Sequence, residues 1–252
     1  MELGAQLYTV RDFTKTLKDF SETLQKIADI GYTTVQVSGT CAYTPEWLRE
    51  ELKKSDLRCV VTHTNPDRMV SETDLVAAEH KIFNCKNIGI GCMPGGLKGG
   101  MTDYIAFKQK FKLVGKRFSE LGNYLMYHNH NMEFAKSDNG EVFLQRIADD
   151  FAPDELGFIL DTYWVQAGGG DPAWWIGSLK GRVPCVHLKD MIYSDGIKMA
   201  AVGDGNINFD SVLKACESAG TEYLLVEQDE CYGADPFDCL RRSYSNLKAR
   251  GL

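Results

Sequence analysis

Short apolar segments alternate with longer amphipathic segments along the whole chain, and this alternation limits the possible folds more than any other feature. The short segments are rich in β-branched and other apolar residues and lack regular polar positions, which indicates strands that are covered on both faces. We predict strands at residues 3–8, 33–37, 57–62, 87–91, 124–127, 157–161, 183–187 and 223–227.

The segments between these strands have the spacing of apolar residues that is typical of helices. One helix is expected to begin at Ser71, which with Asp74 resembles a capping box, and to end near Phe83. A hairpin is expected within residues 191–202, turning at 194–196. Strict alternation of strands and helices predicts parallel pairing through right-handed crossovers. Units of about 30 residues then fill the chain, which predicts a closed (β/α)₈ TIM barrel as a single domain over residues 1–252.

Charge and composition exclude several classes of function. The formal net charge of −7 opposes binding to nucleic acid, which requires a basic surface. No apolar run approaches the roughly 20 residues that a membrane helix needs, and the first residues lack the pattern of a signal peptide, so a cytoplasmic protein is expected. The eight cysteines form no C-x-x-C pair, which indicates reduced and mostly buried thiols.

Polar side chains of the types that bind metals follow four successive predicted strands. Glu133 comes shortly after the fifth strand, and Asp161, His187 and Glu227 end the next three. In a TIM barrel the active site lies at the carboxyl ends of the strands, so these side chains should meet at one half of the barrel mouth. Carboxylates and an imidazole suit Mn²⁺ best among the ions considered, with Mg²⁺, Co²⁺ and Zn²⁺ as alternatives. A divalent metal also removes the repulsion between the carboxylates.

Simpler roles exist for each of these residues taken alone. Asp161 could cap a turn, and a single histidine such as His187 is more often a hydrogen-bonded core residue than a ligand. The glycine-rich segment 94–100 lacks the lysine of a phosphate-binding loop, which leaves a flexible lid or a plain surface loop. The occurrence of ligand-type side chains at four successive strand ends nevertheless favours a metal site.

Several motifs together resemble the xylose isomerase-like TIM barrel superfamily, and in particular its sugar phosphate isomerase/epimerase branch. They are QLYTVRD at residues 6–12, YHNH at 127–130, DTYW at 161–164, VHLKD at 186–190, GDGNI at 203–207 and VEQD at 226–229. The resemblance implies Glu, Asp, His and Glu ligands from strands five to eight. Ketose epimerases of this superfamily carry a glutamate within strand five, where this chain has His128. Glu133 is therefore the expected first ligand, with His128 and His130 as alternatives.

The resemblance also implies a chemistry, which is proton transfer next to the carbonyl of a sugar or sugar-like polyol. Glu133, Glu227 and His130 are the expected acid/base residues. Substrate hydroxyls are expected to contact four further side chains, Gln6, His63, His128 and Lys189. The expected partner is thus a small carbohydrate, with no nucleic acid and no membrane, and a homo-oligomer is compatible with the sequence.

Three other functions remain open at this level. An inosose dehydratase-like lyase would use the same site to expel a hydroxyl group by β-elimination. A non-catalytic sugar-binding subunit would keep the barrel without turnover. The DNA-repair endonucleases of the superfamily need more metal ligands and a basic groove, against which the five histidines and the negative charge argue.

Overall fold

The computed structural model describes residues 1–252, and its centre is a closed barrel of eight parallel strands. The order around the barrel is β1-β2-β3-β4-β5-β6-β7-β10, and β10 pairs with β1. The strands are β1 Glu2–Gln6, β2 Thr34–Val37, β3 Arg58–His63, β4 Asn87–Ile90, β5 Tyr124–His128, β6 Gly157–Asp161, β7 Cys185–Leu188 and β10 Tyr223–Val226. The predicted TIM barrel in a single domain is confirmed.

Helices surround the barrel, and one hairpin projects from it. The helices are α1 Leu17–Ile30, α2 Pro45–Lys54, α3 Pro66–Ser71, α4 Thr73–Ile82, α5 Met101–Glu120, α6 Phe143–Asp150, α7 Thr162–Ala167, α8 Pro172–Ser178, α9 Phe209–Ala219 and α10 Pro236–Lys248. The hairpin consists of β8 Asp190–Tyr193 and β9 Ile197–Ala200, which pair in antiparallel orientation as the sequence predicts.

Two local predictions are wrong. The first strand ends at Gln6 instead of residue 8, because Leu7–Phe13 form 3₁₀ turns whose start is capped by the Gln6 side chain. Ser71 does not cap a helix that runs to Phe83. It ends α3, and α4 follows with Glu72 at its N-cap position and no side-chain capping bond. The proline after Asn65 starts an additional helix that the apolar spacing does not reveal.

Side-chain alternation along the strands fills the barrel interior in layers. Val61, Met126, Ile159, Cys185 and Leu225 form a small buried cluster inside the barrel. A Cβ atom on Gly4 would lie 2.3 Å from Oγ1 of Thr34, so the close approach of β1 and β2 requires glycine there. The layer above this cluster, at the carboxyl ends of the strands, is polar and holds the candidate site.

A second, larger core lies between the strands and the surrounding helices. Residues such as Phe107, Phe111 and Tyr127 pack there, and the rings of Phe107 and Tyr127 are 5.5 Å apart. All eight cysteines are free thiols, and Cys59, Cys85, Cys185 and Cys216 are buried. None of the helices has both the length and the apolar character that crossing a membrane requires.

Candidate metal centre

Four buried side chains converge at the carboxyl end of the barrel: His128, Asp161, His187 and Glu227. One potential ligand atom from each lies within 4.8 Å of those from the others. The strand register explains the convergence, because Asp161 pairs with His187 and His187 pairs with Leu225, two residues before Glu227. Since side chains alternate along a strand, all four point into the barrel.

Hydrogen bonds on their far sides orient both imidazoles. Nδ1 of His128 is 2.9 Å from the carbonyl oxygen of Gly91, and Nε2 of His187 is 2.7 Å from Oε1 of Gln36. Because both partners can only accept, each of these nitrogens carries a proton. The other nitrogen of each ring faces carboxylates: Nε2 of His128 is 3.3 Å from Oδ2 of Asp161, and Nδ1 of His187 is 2.9 Å from Oε2 of Glu227.

This arrangement fits a divalent cation. In a metal site the histidine ligand typically donates its remote N–H to an acceptor, and its other nitrogen presents a lone pair to the ion. Without a cation or an additional proton, the lone pairs of these two imidazoles would face carboxylate oxygens. Two nitrogens and two carboxylates form a mixed ligand set of the kind that Zn²⁺, Co²⁺ and Mn²⁺ accept.

Lys189 adds a positive charge beside the cluster. Its ammonium nitrogen lies 2.6 Å from Oδ2 of Asp229, 3.4 Å from Oε2 of Glu227 and 3.6 Å from Oδ2 of Asp161. The side chain of Gln6 donates to the other oxygen of Glu227 at 3.0 Å. These contacts hold both carboxylates of the cluster in place.

The pKa values follow from these contacts. Burial alone would raise the pKa of Asp161, but the ammonium of Lys189 and the imidazoles lower it far below its usual range. The pKa of Glu227 is lowered in the same way, again against the effect of burial. Burial opposes protonation of His187, yet the facing carboxylates raise its pKa to about 9. A divalent ion bound here would therefore compete with a proton for the lone pair of His187.

The prediction of Glu133 as first ligand differs from this arrangement, in which His128 is the side chain from β5. Glu133 is fully buried outside the cluster. Its carboxylate accepts the hydroxyl of Tyr127 at 2.6 Å and the backbone N–H of His130 at 2.8 Å. Tyr127 points away from the barrel interior towards α5, so its bond draws Glu133 to that side. A 3₁₀ turn at Met132–Phe134 turns the chain back so that Glu133 reaches the outer side of β5.

The remaining predicted residues line the mouth of the barrel above the cluster. His130 lies against the rings of His128 and Trp164, and its pKa is lowered to about 3 by burial and by the neighbouring His128. It is therefore neutral near pH 7. His63 lies beside His128 and His187, and burial together with these neighbours lowers its pKa well below the usual value. Ser38 contacts its Nδ1 at 3.2 Å.

A cavity of about 670 Å³ opens above the cluster. Every substrate-contact residue predicted from the sequence lines it, namely Gln6, His63, His128 and Lys189, and so do His130 and Glu227. Such a volume suits a small ligand. Glu133 is not part of its wall.

Two residues of the site were not identified from the sequence. Asp229 borders the cavity and contacts Lys189, and burial together with Glu227 raises its pKa to about 6. Its position two residues after Glu227 could have indicated that it faces the same way. Gln36 supports His187 from across the barrel. It lies on a strand whose end carries no ligand-type residue, and no local signal points to it.

The family model described as xylose isomerase-like TIM barrel matches residues 24–243. No curated protein matches the chain.

Several solved structures share the fold. A sugar phosphate isomerase/epimerase from Parabacteroides distasonis ATCC 8503 is similar with a TM-score of 0.83 and 21% identity, over 98% of this chain and 94% of that chain. The probable 3-DHS dehydratase involved in petrobactin synthesis from Bacillus anthracis has a TM-score of 0.75 at 14% identity, over 98% and 99% of the two chains. An L-ribulose 3-epimerase has a TM-score of 0.75 at 13% identity, over 98% and 93%. At these identities the likeness concerns the fold.

Proposed function

We propose a function for this chain, which belongs to the xylose isomerase-like TIM barrel family. It is a metal-dependent isomerase or epimerase of a sugar or sugar-like polyol. The observation that carries the proposal is the buried set of His128, Asp161, His187 and Glu227 at the floor of a cavity of about 670 Å³. A divalent ion held by these residues would polarise a substrate carbonyl and acidify the adjacent C–H bond. The structures called sugar phosphate isomerase/epimerase and L-ribulose 3-epimerase share the fold and support the same class of reaction.

The side chains around the cluster suit binding and proton transfer. Glu227 keeps a carboxylate at the floor of the cavity, where it can act as the base towards a substrate C–H. His130 lines the wall near β5, and its Nδ1 is buried without a protein partner. A neutral imidazole in this position can accept or return a proton. Gln6 and Lys189 hold Glu227 in place, since they contact its two oxygens separately.

Mn²⁺ remains the first metal to test, followed by Co²⁺, Zn²⁺ and Mg²⁺. His128 in place of a carboxylate makes the donor set richer in nitrogen than the sequence predicts. Nitrogen ligands favour Mn²⁺, Co²⁺ and Zn²⁺ over Mg²⁺, which prefers oxygen.

A lyase reaction is the second candidate, and one observation favours it. Proton transfer on both faces of one carbon is served best by two like groups, whereas β-elimination needs two different ones, a base for the C–H bond and an acid for the leaving hydroxyl group. Strand β5 contributes an imidazole, and the nearby carboxylate of Glu133 is bonded to Tyr127 and His130 instead. The probable 3-DHS dehydratase with the same fold is compatible with this alternative.

The test is a screen of keto sugars and inososes with the metal-loaded protein in D₂O. An epimerase or isomerase gives a product of unchanged formula with deuterium at the reacting carbon. A lyase gives a product that has lost water and absorbs in the ultraviolet as a conjugated ketone. Glu227→Gln should lower kcat by about 10²–10⁴-fold, the range for loss of a general acid or base. The matched control Glu217→Gln changes an exposed glutamate on α9 and should leave kcat unchanged.

Two results would contradict the proposal. If the protein binds metal and sugars without turnover of any compound, it is a binding subunit. If Glu227→Gln retains full activity, the base lies elsewhere.

A further inference from the structure

We propose that the substrate cavity accepts electrically neutral polyhydroxy carbonyl compounds and discriminates against phosphate esters and carboxylates. The inference rests on the proposed function and specifies its substrate class. It is carried by the charged side chains that line the cavity, among which the single lysine is already paired with carboxylates of the protein.

Lys189 is the single lysine or arginine among the residues that line the cavity. Its ammonium is buried to 1% exposure and lies within 3.6 Å of three carboxylates, those of Asp161, Glu227 and Asp229. Three carboxylates and one ammonium leave two net negative charges at this end of the cavity. A divalent cation in the cluster balances them, so a dianionic phosphate group would arrive with no opposite charge to meet it.

Two arginines next to the cavity are also occupied. The guanidinium of Arg11 donates to the carbonyl oxygens of Tyr8 and Asp229 and lies 3.4 Å from the carboxylate of Glu230. A neighbouring cavity of about 600 Å³ shares His63, Thr64 and Asn65 with the first, and its one cationic side chain is Arg68. The guanidinium of Arg68 is occupied by Glu72 and Glu79, each at 2.9 Å. The side chain of Asn65 accepts the backbone N–H of Asp67 at the start of α3, so that N–H is not free for an anion either.

Neutral polar groups, in contrast, are present and unpaired. Nε2 of His63, Nδ1 of His130 and Nε1 of Trp164 are buried without a hydrogen-bond partner in the protein. All three side chains line the cavity. Groups of this kind pair with hydroxyl groups, which both donate and accept, and the indole of Trp164 adds an apolar surface for the C–H bonds of a sugar. The cavity wall thus offers hydrogen-bond partners for hydroxyl groups but no unpaired cation for a phosphate group.

The test compares matched ligands on the metal-loaded protein. L-Ribulose and D-fructose are compared with their terminal phosphate esters, and D-fructose also with D-fructuronate. Binding is read from protection of Cys92, an exposed thiol in the cavity wall, against iodoacetamide, with the modified peptide quantified by mass spectrometry. Turnover of the same compounds is measured in parallel. We expect each anionic compound to bind about 100-fold more weakly than its neutral partner, because its charged group would lose its hydration in the cavity without an unpaired lysine or arginine to replace it.

A positive charge introduced in the cavity wall shows whether charge or available space limits the binding of phosphate esters. Met132 lines the cavity and is partly buried. Met132→Lys should improve binding of the phosphate esters at least about tenfold by adding an unpaired cation. Met132→Gln, a neutral polar side chain of similar length, should not. If both variants improve phosphate binding equally, room rather than charge limits the wild-type cavity and the inference is wrong.

The outcomes also separate this inference from the proposed function. Neutral ketoses that protect Cys92 without being converted would refute the isomerase and leave the charge selectivity standing. Binding or turnover of a phosphate ester or of fructuronate at least as good as that of the neutral partner would overturn the selectivity. Failure of every neutral compound to protect Cys92 would overturn it as well, because neutral polyols would then not be the ligand class.

Discussion

Replacement of His128 by Ala should remove most of the metal affinity, whereas replacement of Glu133 by Gln should preserve it. Nε2 of His128 faces Asp161 at 3.3 Å within the cluster. The carboxylate of Glu133 is bonded to Tyr127 and His130 at 2.6 and 2.8 Å and supplies no ligand atom. The two substitutions therefore separate the site seen in the structure from the one that the sequence predicts.

The size of the effect can be worked through metal-linked stability. A metal at about 1,000 times its Kd stabilises the folded protein by about 4 kcal/mol. Loss of a residue that only hydrogen-bonds to a metal ligand already lowers metal affinity by about 10–100-fold. Loss of the ligand His128 itself should therefore lower metal affinity by at least about 100-fold. The same metal concentration is then about ten times Kd, and the stabilisation falls to about 1.4 kcal/mol. At about 2–4 °C per kcal/mol, Tm should rise by about 8–16 °C in the wild type and by about 3–6 °C in the variant.

The assay is thermal unfolding with and without metal, combined with metal analysis of the purified proteins. His128→Asn serves as a second variant if the Ala protein does not fold. Glu133→Gln should lower Tm in both states, since it disturbs a buried hydrogen-bonded carboxylate, but its rise with metal should match the wild type. A full metal-induced rise in His128→Ala, together with its loss in Glu133→Gln, would refute the assignment.

Three further results are expected. Lys189→Met should destabilise the metal-free protein by about 3–5 kcal/mol in urea unfolding, because it leaves the buried carboxylates of Asp161 and Glu227, and the partly exposed one of Asp229, without their ammonium; added metal should restore part of this loss, and an unchanged midpoint would contradict the role of the ammonium. Gln36→Met should weaken metal binding by about 10–100-fold through loss of the bond that orients His187, and an unaltered Kd in titration would show that this bond is unimportant. Since the pKa of His187 is raised to about 9, its protonated ring stabilises the metal-free fold fully below about pH 6.5, and this contribution is lost as the pH rises through 9. Metal affinity should accordingly increase with pH up to about 9. Calorimetry in buffers of different ionisation enthalpy should detect a proton released on binding, and a pH-independent Kd would argue against the displacement.

The barrel was predictable because its signal is local and repeated. Each strand is a short apolar run covered on both faces, and each is followed by an amphipathic helix, so one wrong boundary does not change the architecture. The error at Gln6 and the additional helix that starts at Pro66 arise where a side-chain cap or a proline outweighs the apolar spacing. Such local competition shifts element ends and leaves the order of the strands intact.

The sequence by itself determined that ligand-type side chains stand at the ends of four neighbouring strands, because parallel strands of a barrel end at one face. Asp161, His187 and Glu227 follow directly from that rule. Only the tertiary structure shows that His128, and not Glu133, lies beside these three residues. The turn after β5 carries the Glu133 carboxylate to Tyr127 on the outer side of the strand, and alternation then directs His128 inward. The contact between His187 and Gln36 is likewise visible only in the tertiary structure. The two residues are 151 positions apart in the sequence, and closure of the barrel brings them together without any local sequence pattern that predicts it.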